Sequence, residues 1–146
     1  MPGIDAASSY AELRKQEALA PKLLYAVDAR LTRSSPVADI ARLTSLTAAA
    51  VAAGNGHVLD TSHVIFPNGA ITLVLILAES HLSIHTWPEE DLIAIDLFSC
   101  GGIDGEVVIS GLTRSLRLEG ISVRKLDRGQ WAARPDAAGQ GYLTER

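Results

Sequence analysis

Cysteine occurs once in the 146 residues, at Cys100, so no disulfide can form within the chain. A reducing compartment suits such a sequence, and the cytoplasm is the expected location. Positive charge is also short. Thirteen Lys and Arg against 17 Asp and Glu leave a formal charge of −4, with no basic footprint for nucleic acid. Long hydrophobic runs are missing too. The longest, Ile71 to Ala78, falls far below the roughly 20 residues that span a bilayer, so no membrane partner is expected. No charged-then-apolar leader opens the sequence, which argues against secretion. Internal repeats and low-complexity segments are absent as well.

What remains is a chain that is 47% apolar, long enough for one packed domain and too short for two. Residues 1–21 read as a polar, alanine-rich arm, within which 8–18 could form a helix. Residues 131–146 read as a loose tail, leaving 22–130 as the domain. Lys22 to Leu31 holds a strand. Ser35-Pro36 then offers an N-cap with proline at the first helical position. Ile40, Leu43, Leu46 and Ala50 follow at helical spacing, ended by Gly54 and Gly56. His57 to Phe66 and Ile71 to Leu77 read as a hairpin around Pro67-Asn68-Gly69. Leu82 to Thr86 and Leu92 to Ser99 are two further strands. Asp104 caps a helix with Val108, Leu112 and Leu116 on one face. Ile121 to Leu126 is a last strand. The order predicts a two-layer α+β domain, an antiparallel sheet with two main helices on one face. The other sheet face would be bare and apolar, which suggests a homodimer packed sheet against sheet.

Reactive side chains crowd into one stretch, Ala78-Glu79-Ser80-His81-Leu82-Ser83-Ile84-His85-Thr86-Trp87-Pro88-Glu89. It sets a serine between a carboxylate and a histidine at the end of the longest apolar run. A peptide bond before serine can rearrange when the hydroxyl oxygen attacks the preceding carbonyl and an ester forms. Loss of the serine α-proton then expels the upstream chain as a carboxylate, and the dehydroalanine left behind hydrolyses to a pyruvoyl group. This chemistry needs a strained or polarised peptide, a base and oxyanion donors. His81, His85, Ser83, Thr72 and Cys100 can supply them. Simpler readings compete. Ser80 can merely end a strand at a turn. His81, Ser83 and His85 alternate, so they share one face of an extended strand without any chemistry. Cys100 can fill a buried corner. His81, His85 and Cys100 can also be read as metal ligands, although no second cysteine supports such a site.

Glu79 to Glu89, together with Asp96-Leu97-Phe98-Ser99-Cys100-Gly101, resembles the core signature of the short prokaryotic S-adenosylmethionine decarboxylases. The resemblance runs more loosely from about Leu23 to Asp127. It implies self-cleavage between Glu79 and Ser80, a pyruvoyl cofactor made from Ser80, and no metal. It implies that His85 is the base assisting processing and that His81 supports the backbone. Thr72 stands near a serine that the family uses in processing. Cys100 would protonate the substrate carbon after carbon dioxide leaves. The pyruvoyl ketone would form a Schiff base with the substrate amine and draw electrons, as pyridoxal phosphate does elsewhere. The product would be the aminopropyl donor for spermidine synthesis. Phe66 and Glu89 are the candidate substrate-binding residues. The family's Gly-x-His opening is replaced by Pro21-Lys22-Leu23, and Ile65 rather than Phe66 aligns with its adenine-stacking aromatic. Both departures concern the substrate pocket. A basic amino acid, arginine or ornithine, is therefore the alternative substrate, and a non-catalytic partner or activator subunit the alternative of another class.

Overall fold

The structure is a computed structural model that describes residues 11–12 and 20–130. Apart from residues 11–12 and 20–21, the expected arm with its 8–18 helix, and the whole tail, lie outside the described residues. In chain order the elements are β1 (Lys22–Arg30), α1 (Ile40–Ala53), β2 (Val58–Ile65), β3 (Ile71–Leu77), β4 (Ser80–Trp87), β5 (Leu92–Ser99), α2 (Gly105–Ser115) and β6 (Glu119–Arg128). A short 3-10 turn, Pro88–Glu90, joins β4 to β5. The strands form one sheet in the order β2-β3-β4-β5-β1-β6. Every neighbouring pair is antiparallel.

Alternation explains the layers. Ile71, Leu73, Leu75 and Leu77 of β3 are buried, as are Leu82 and Ile84 of β4, Ile93, Ile95 and Leu97 of β5, and Tyr25, Val27 and Ala29 of β1. They form one continuous core with Leu43, Ala50 and Val51 of α1, and with Val108, Ile109, Leu112 and Leu116 of α2 and its end. Both helices therefore cover the same sheet face, as the sequence predicted. Each large apolar side chain buried this way contributes about 1.5–3 kcal/mol.

The start of α1 differs from expectation. Its N-cap is Asp39, whose Oδ1 accepts from Ala41 N at 3.0 Å and Arg42 N at 3.2 Å. Ser35 is occupied elsewhere, because its Oγ accepts from Thr32 N at 2.9 Å and closes a turn. The other end of α1 follows the sequence, with Gly54 as its C-cap. Asp104 caps α2 by accepting from Val107 N at 3.2 Å.

Among the described residues no helix covers the second sheet face. It carries Thr72, Val74 and Ile76 of β3, and His81, Ser83, His85 and Trp87 of β4. Val64, Ile76, Trp87 and Leu126 are exposed there, beside histidines and Asp96, so the face is mixed rather than apolar. No described helix is long and apolar enough to cross a membrane.

Three connections meet at one end of the sheet: the loop from α1 to β2, the turn from β3 to β4, and the loop from β5 to α2. Asp104 N donates to Gly54 O at 2.8 Å, and Ala78 N donates to His57 O at 2.9 Å. Gly56 permits the approach. A Cβ there would lie 2.8 Å from Ile103 Cδ1 and 2.5 Å from Val51 Cγ1. Leu77 pairs directly with Ser80, so the β3–β4 turn contains only Ala78 and Glu79.

Candidate active site

That two-residue turn places the Glu79–Ser80 peptide bond where the chain enters β4. Ser80 takes φ +140°, a region that residues with a side chain seldom occupy and that costs on the order of 1–3 kcal/mol. The peptide before a strained serine is what acyl migration requires. Cys100 approaches from the end of β5, with Gly101 at φ +77° turning the chain away immediately after it. The Cys100 Sγ donates to the carbonyl oxygen of Glu79 at 3.1 Å and lies 3.6 Å from Ser80 Oγ. Glu79 is 2% exposed and Cys100 7%, so water competes little for either group. The thiol thus polarises the Glu79 carbonyl, the one before the serine that the sequence analysis singled out.

Sequence reasoning missed the partner of the Glu79 side chain. Oε1 accepts from His57 N at 2.9 Å, and Oε2 lies 2.7 Å from His57 Nδ1. Nothing local links residue 57 to residue 79. Only the pairing of β2 with β3 and β3 with β4 brings them together, so no short motif could have revealed the contact.

The remaining candidates gather elsewhere. Thr72 and His85 are direct cross-strand partners, and Thr72 Oγ1 is 3.0 Å from His85 Nδ1. The His85 ring lies 6.1 Å from that of Trp87. Phe66, Thr72 and Trp87 line a cleft of about 340 Å³. Asn68, also on that cleft, donates from Nδ2 to both carboxylate oxygens of Glu89 at 3.2 and 3.3 Å. These residues mark the far end of the β3–β4 hairpin. His85 is five residues along β4 from Ser80, about 17 Å at roughly 3.3 Å per residue. One chain therefore unites Glu79, Ser80 and Cys100, and separately unites Phe66, Thr72, His85 and Glu89, without joining the two groups.

His81 belongs to the uncovered face. Its ring is 6.0 Å from that of Phe98, over which Arg128 sits at 5.5 Å. His81, His85 and Cys100 do not converge, and among the described residues no three His, Cys, Asp or Glu side chains are grouped to hold a metal ion.

A cluster of titratable side chains lies where α2 meets β1 and β6. Tyr25 OH donates to Glu106 Oε2 at 2.6 Å, and Lys125 Nζ donates to Glu106 Oε1 at 2.8 Å. The bonds from Lys125 and Tyr25 hold the Glu106 carboxyl below the usual carboxylate range. Burial and Glu106 push the Tyr25 phenol up, and Glu106 pushes the Lys125 ammonium up. This cluster ties the helix layer to the sheet and touches neither candidate group.

Comparison with known proteins gives a consistent result. The family model for S-adenosylmethionine decarboxylase matches residues 24–129. The S-adenosylmethionine decarboxylase proenzyme of Thermoplasma volcanium is 36% identical over 123 residues, covering 83% of this chain and 85% of that protein. The S-adenosylmethionine decarboxylase proenzyme 2 of Bacillus cereus is 38% identical over 74 residues, covering 50% of this chain. That match spans 60% of the Bacillus protein, less than two thirds of its length. The crystal structure of the adenosylmethionine decarboxylase from Aquifex aeolicus superposes with a TM-score of 0.65 at 25% identity, covering 77% of this chain and 94% of that one.

Proposed function

The chain belongs to the S-adenosylmethionine decarboxylase family, and we propose that it is a self-processing, pyruvoyl-dependent decarboxylase of S-adenosylmethionine. One observation carries this reading: the Cys100 thiol sits on the Glu79 carbonyl, beside the Ser80 hydroxyl, at a serine with φ +140°. Ser80 Oγ attacks the Glu79 carbonyl carbon. Charge gathers on the carbonyl oxygen, where the Cys100 S–H already donates. The Ser80 nitrogen leaves as an amine and an ester joins the two halves. Removal of the Ser80 α-proton breaks the Cβ–Oγ bond and releases Glu79 as a free carboxylate. The Ser80 Cα becomes trigonal in that step, so its unfavourable φ is relieved. The dehydroalanine then hydrolyses, with loss of ammonia, to the pyruvoyl group.

The residues around Ser80 fit such a group, since Cys100 and the turn enclose it on the core side. The pyruvoyl ketone supplies the electron sink for loss of carbon dioxide. Cys100, 3.6 Å from Ser80 Oγ, would deliver a proton to the substrate carbon afterwards. No step calls for a metal. The names of the relatives favour S-adenosylmethionine over arginine or ornithine, and the product would feed spermidine synthesis. The cytoplasm suits a chain with one free thiol.

His85 enters the scheme through a second copy. A two-fold axis lying between two uncovered sheet faces, and across the strands, reverses the strand direction. It lays the Phe66–Thr72–His85–Glu89 end of one subunit over the Ser80 end of the other. The partner subunit's His85, oriented by its hydroxyl partner, then supplies the base. Phe66 and Glu89 frame the substrate from the same side. The uncovered face and the 17 Å estimate within one chain support this homodimer.

Intact mass spectrometry of the protein beside Ser80→Ala tests the reading. Expected are two fragments from the wild type, split between 79 and 80, and one chain from the variant. Carboxyl-labelled S-adenosylmethionine should release carbon dioxide. Release from arginine or ornithine alone would identify the substrate as a basic amino acid. A chain that stays whole under all conditions would make it a non-catalytic partner subunit.

A further inference from the structure

Glu79 has a side chain that none of these steps uses, yet it is the most enclosed carboxylate of the site, at 2% exposure. A buried carboxylate persists only where fixed partners replace water. Here both partners come from one residue. The His57 backbone N–H reaches Oε1 at 2.9 Å and the ring Nδ1 reaches Oε2 at 2.7 Å. The same residue accepts from Ala78 N through its carbonyl at 2.9 Å. His57 therefore holds the turn at three points, by its backbone at Ala78 and at Glu79 Oε1, and by its ring at Glu79 Oε2. With the side chain held on one side, the Glu79 carbonyl is left directed at Cys100 Sγ, 3.1 Å away.

We propose that His57 is a positioning residue for self-cleavage. Acting through the Glu79 carboxylate, it locks the acyl half of the scissile bond so that the carbonyl stays on the Cys100 thiol. The proposal rests on the self-processing reading above. Two of the three contacts use the His57 backbone and survive substitution, so the turn is expected to form without the imidazole. What the ring adds is the second anchor on the carboxylate, which stops rotation of the Glu79 side chain and the peptide plane behind it. The ring is half exposed, and Asn at this position can put an amide N–H where Nδ1 stands.

Cleavage is followed by intact mass after a pulse of cell-free synthesis, for the wild type, His57→Ala and His57→Asn. Loss of one hydrogen bond to a charged group predicts His57→Ala slower by about ten- to a hundredfold. His57→Asn should recover most of the rate. Folding is monitored separately by Tm with each change placed in the uncleavable Ser80→Ala chain, where His57→Ala should stay cooperative. Cleavage of His57→Ala at the wild-type rate overturns the proposal. So does a slow His57→Asn, because a donor at that position would then not be what matters. A wild type that never cleaves sinks the self-processing reading itself, a result distinct from either.

Discussion

The two ends of the β3–β4 hairpin are built in opposite ways. At the turn end, the peptide between Glu79 and Ser80 is enclosed by three loops, and its acyl residue is 2% exposed. Its carbonyl and carboxylate are both bonded within the chain. At the far end, Phe66, Trp87 and Glu89 are exposed, and the Thr72–His85 pair lies on the sheet face that no described helix covers. Among the described residues one end is closed and the other open. In the proposed function the closed end breaks a single peptide bond once, which calls for dry and rigid surroundings. In the same proposal the far end meets a substrate or a second subunit, which calls for openness. The contrast sets two groups five positions apart on one strand in opposite surroundings, and the proposed homodimer would bring them into one site.

The sharpest way to break this contrast is complementation. His85→Ala alone should remain uncleaved, as should Ser80→Ala. Co-expressed, they should form hybrid dimers in which the His85→Ala chain is cleaved, an all-or-none gain visible by mass. Failure to cleave in a proven hybrid would mean that the two ends do not meet across subunits. The next largest effect belongs to the closed end. Cys100→Ala removes the donor on the Glu79 carbonyl and should slow cleavage by about 10²–10³-fold, as loss of one oxyanion donor does. Cys100→Ser should fall between, and a time course of fragment formation measures both. At the open end, Phe66→Ala should leave cleavage near its wild-type rate. It should raise KM for S-adenosylmethionine by about tenfold if the ring stacks on adenine, and an unchanged KM would remove Phe66 from the pocket. The smallest effect is expected away from both ends. Lys125 and Tyr25 hold the Glu106 carboxyl low, so its contribution is present above the ordinary carboxyl range and is lost as pH falls through the depressed value. Glu106→Gln should lower Tm by at most a few degrees at neutral pH, because the site is exposed. Thermal melts down an acid series should show that gap closing. A gap that widens in acid would contradict the assignment.

Much of the closed end could be read from the chain because it is local. Glu79-Ser80 is contiguous, and Cys100 stands at the end of a strand whose alternation was clear. The hairpin at Pro67-Asn68-Gly69 and the Asp104 cap were legible for the same reason, since turn and cap chemistry lies within four residues. Two things were not. Ser35 and Asp39 both offer N-cap oxygens, and the choice between them depended on a turn at Thr32 that consumes the serine. His57 has no neighbour in sequence that hints at Glu79, and its role depends on strand register. The alternation of His81, Ser83 and His85 correctly placed them on one face, but alternation carries no distance. Multiplied by the rise of a strand, it separates His85 from the serine it was expected to serve.

In the proposed cleavage, the sheet order decides what becomes of the two pieces. Strands β1, β2 and β3 would belong to one fragment, and β4, β5 and β6 to the other. Yet β1 lies between β5 and β6, so the fragments are interleaved like the fingers of two hands. Pulling them apart would require tearing three antiparallel ladders, β3–β4, β1–β5 and β1–β6. Such a cut would therefore remove a covalent link while the folded shape holds. What it removes is the route back. Once melted, the two pieces must find each other in solution, and refolding changes from a first-order to a concentration-dependent event. Maturation of such a chain is a commitment recorded in its kinetics rather than in its shape.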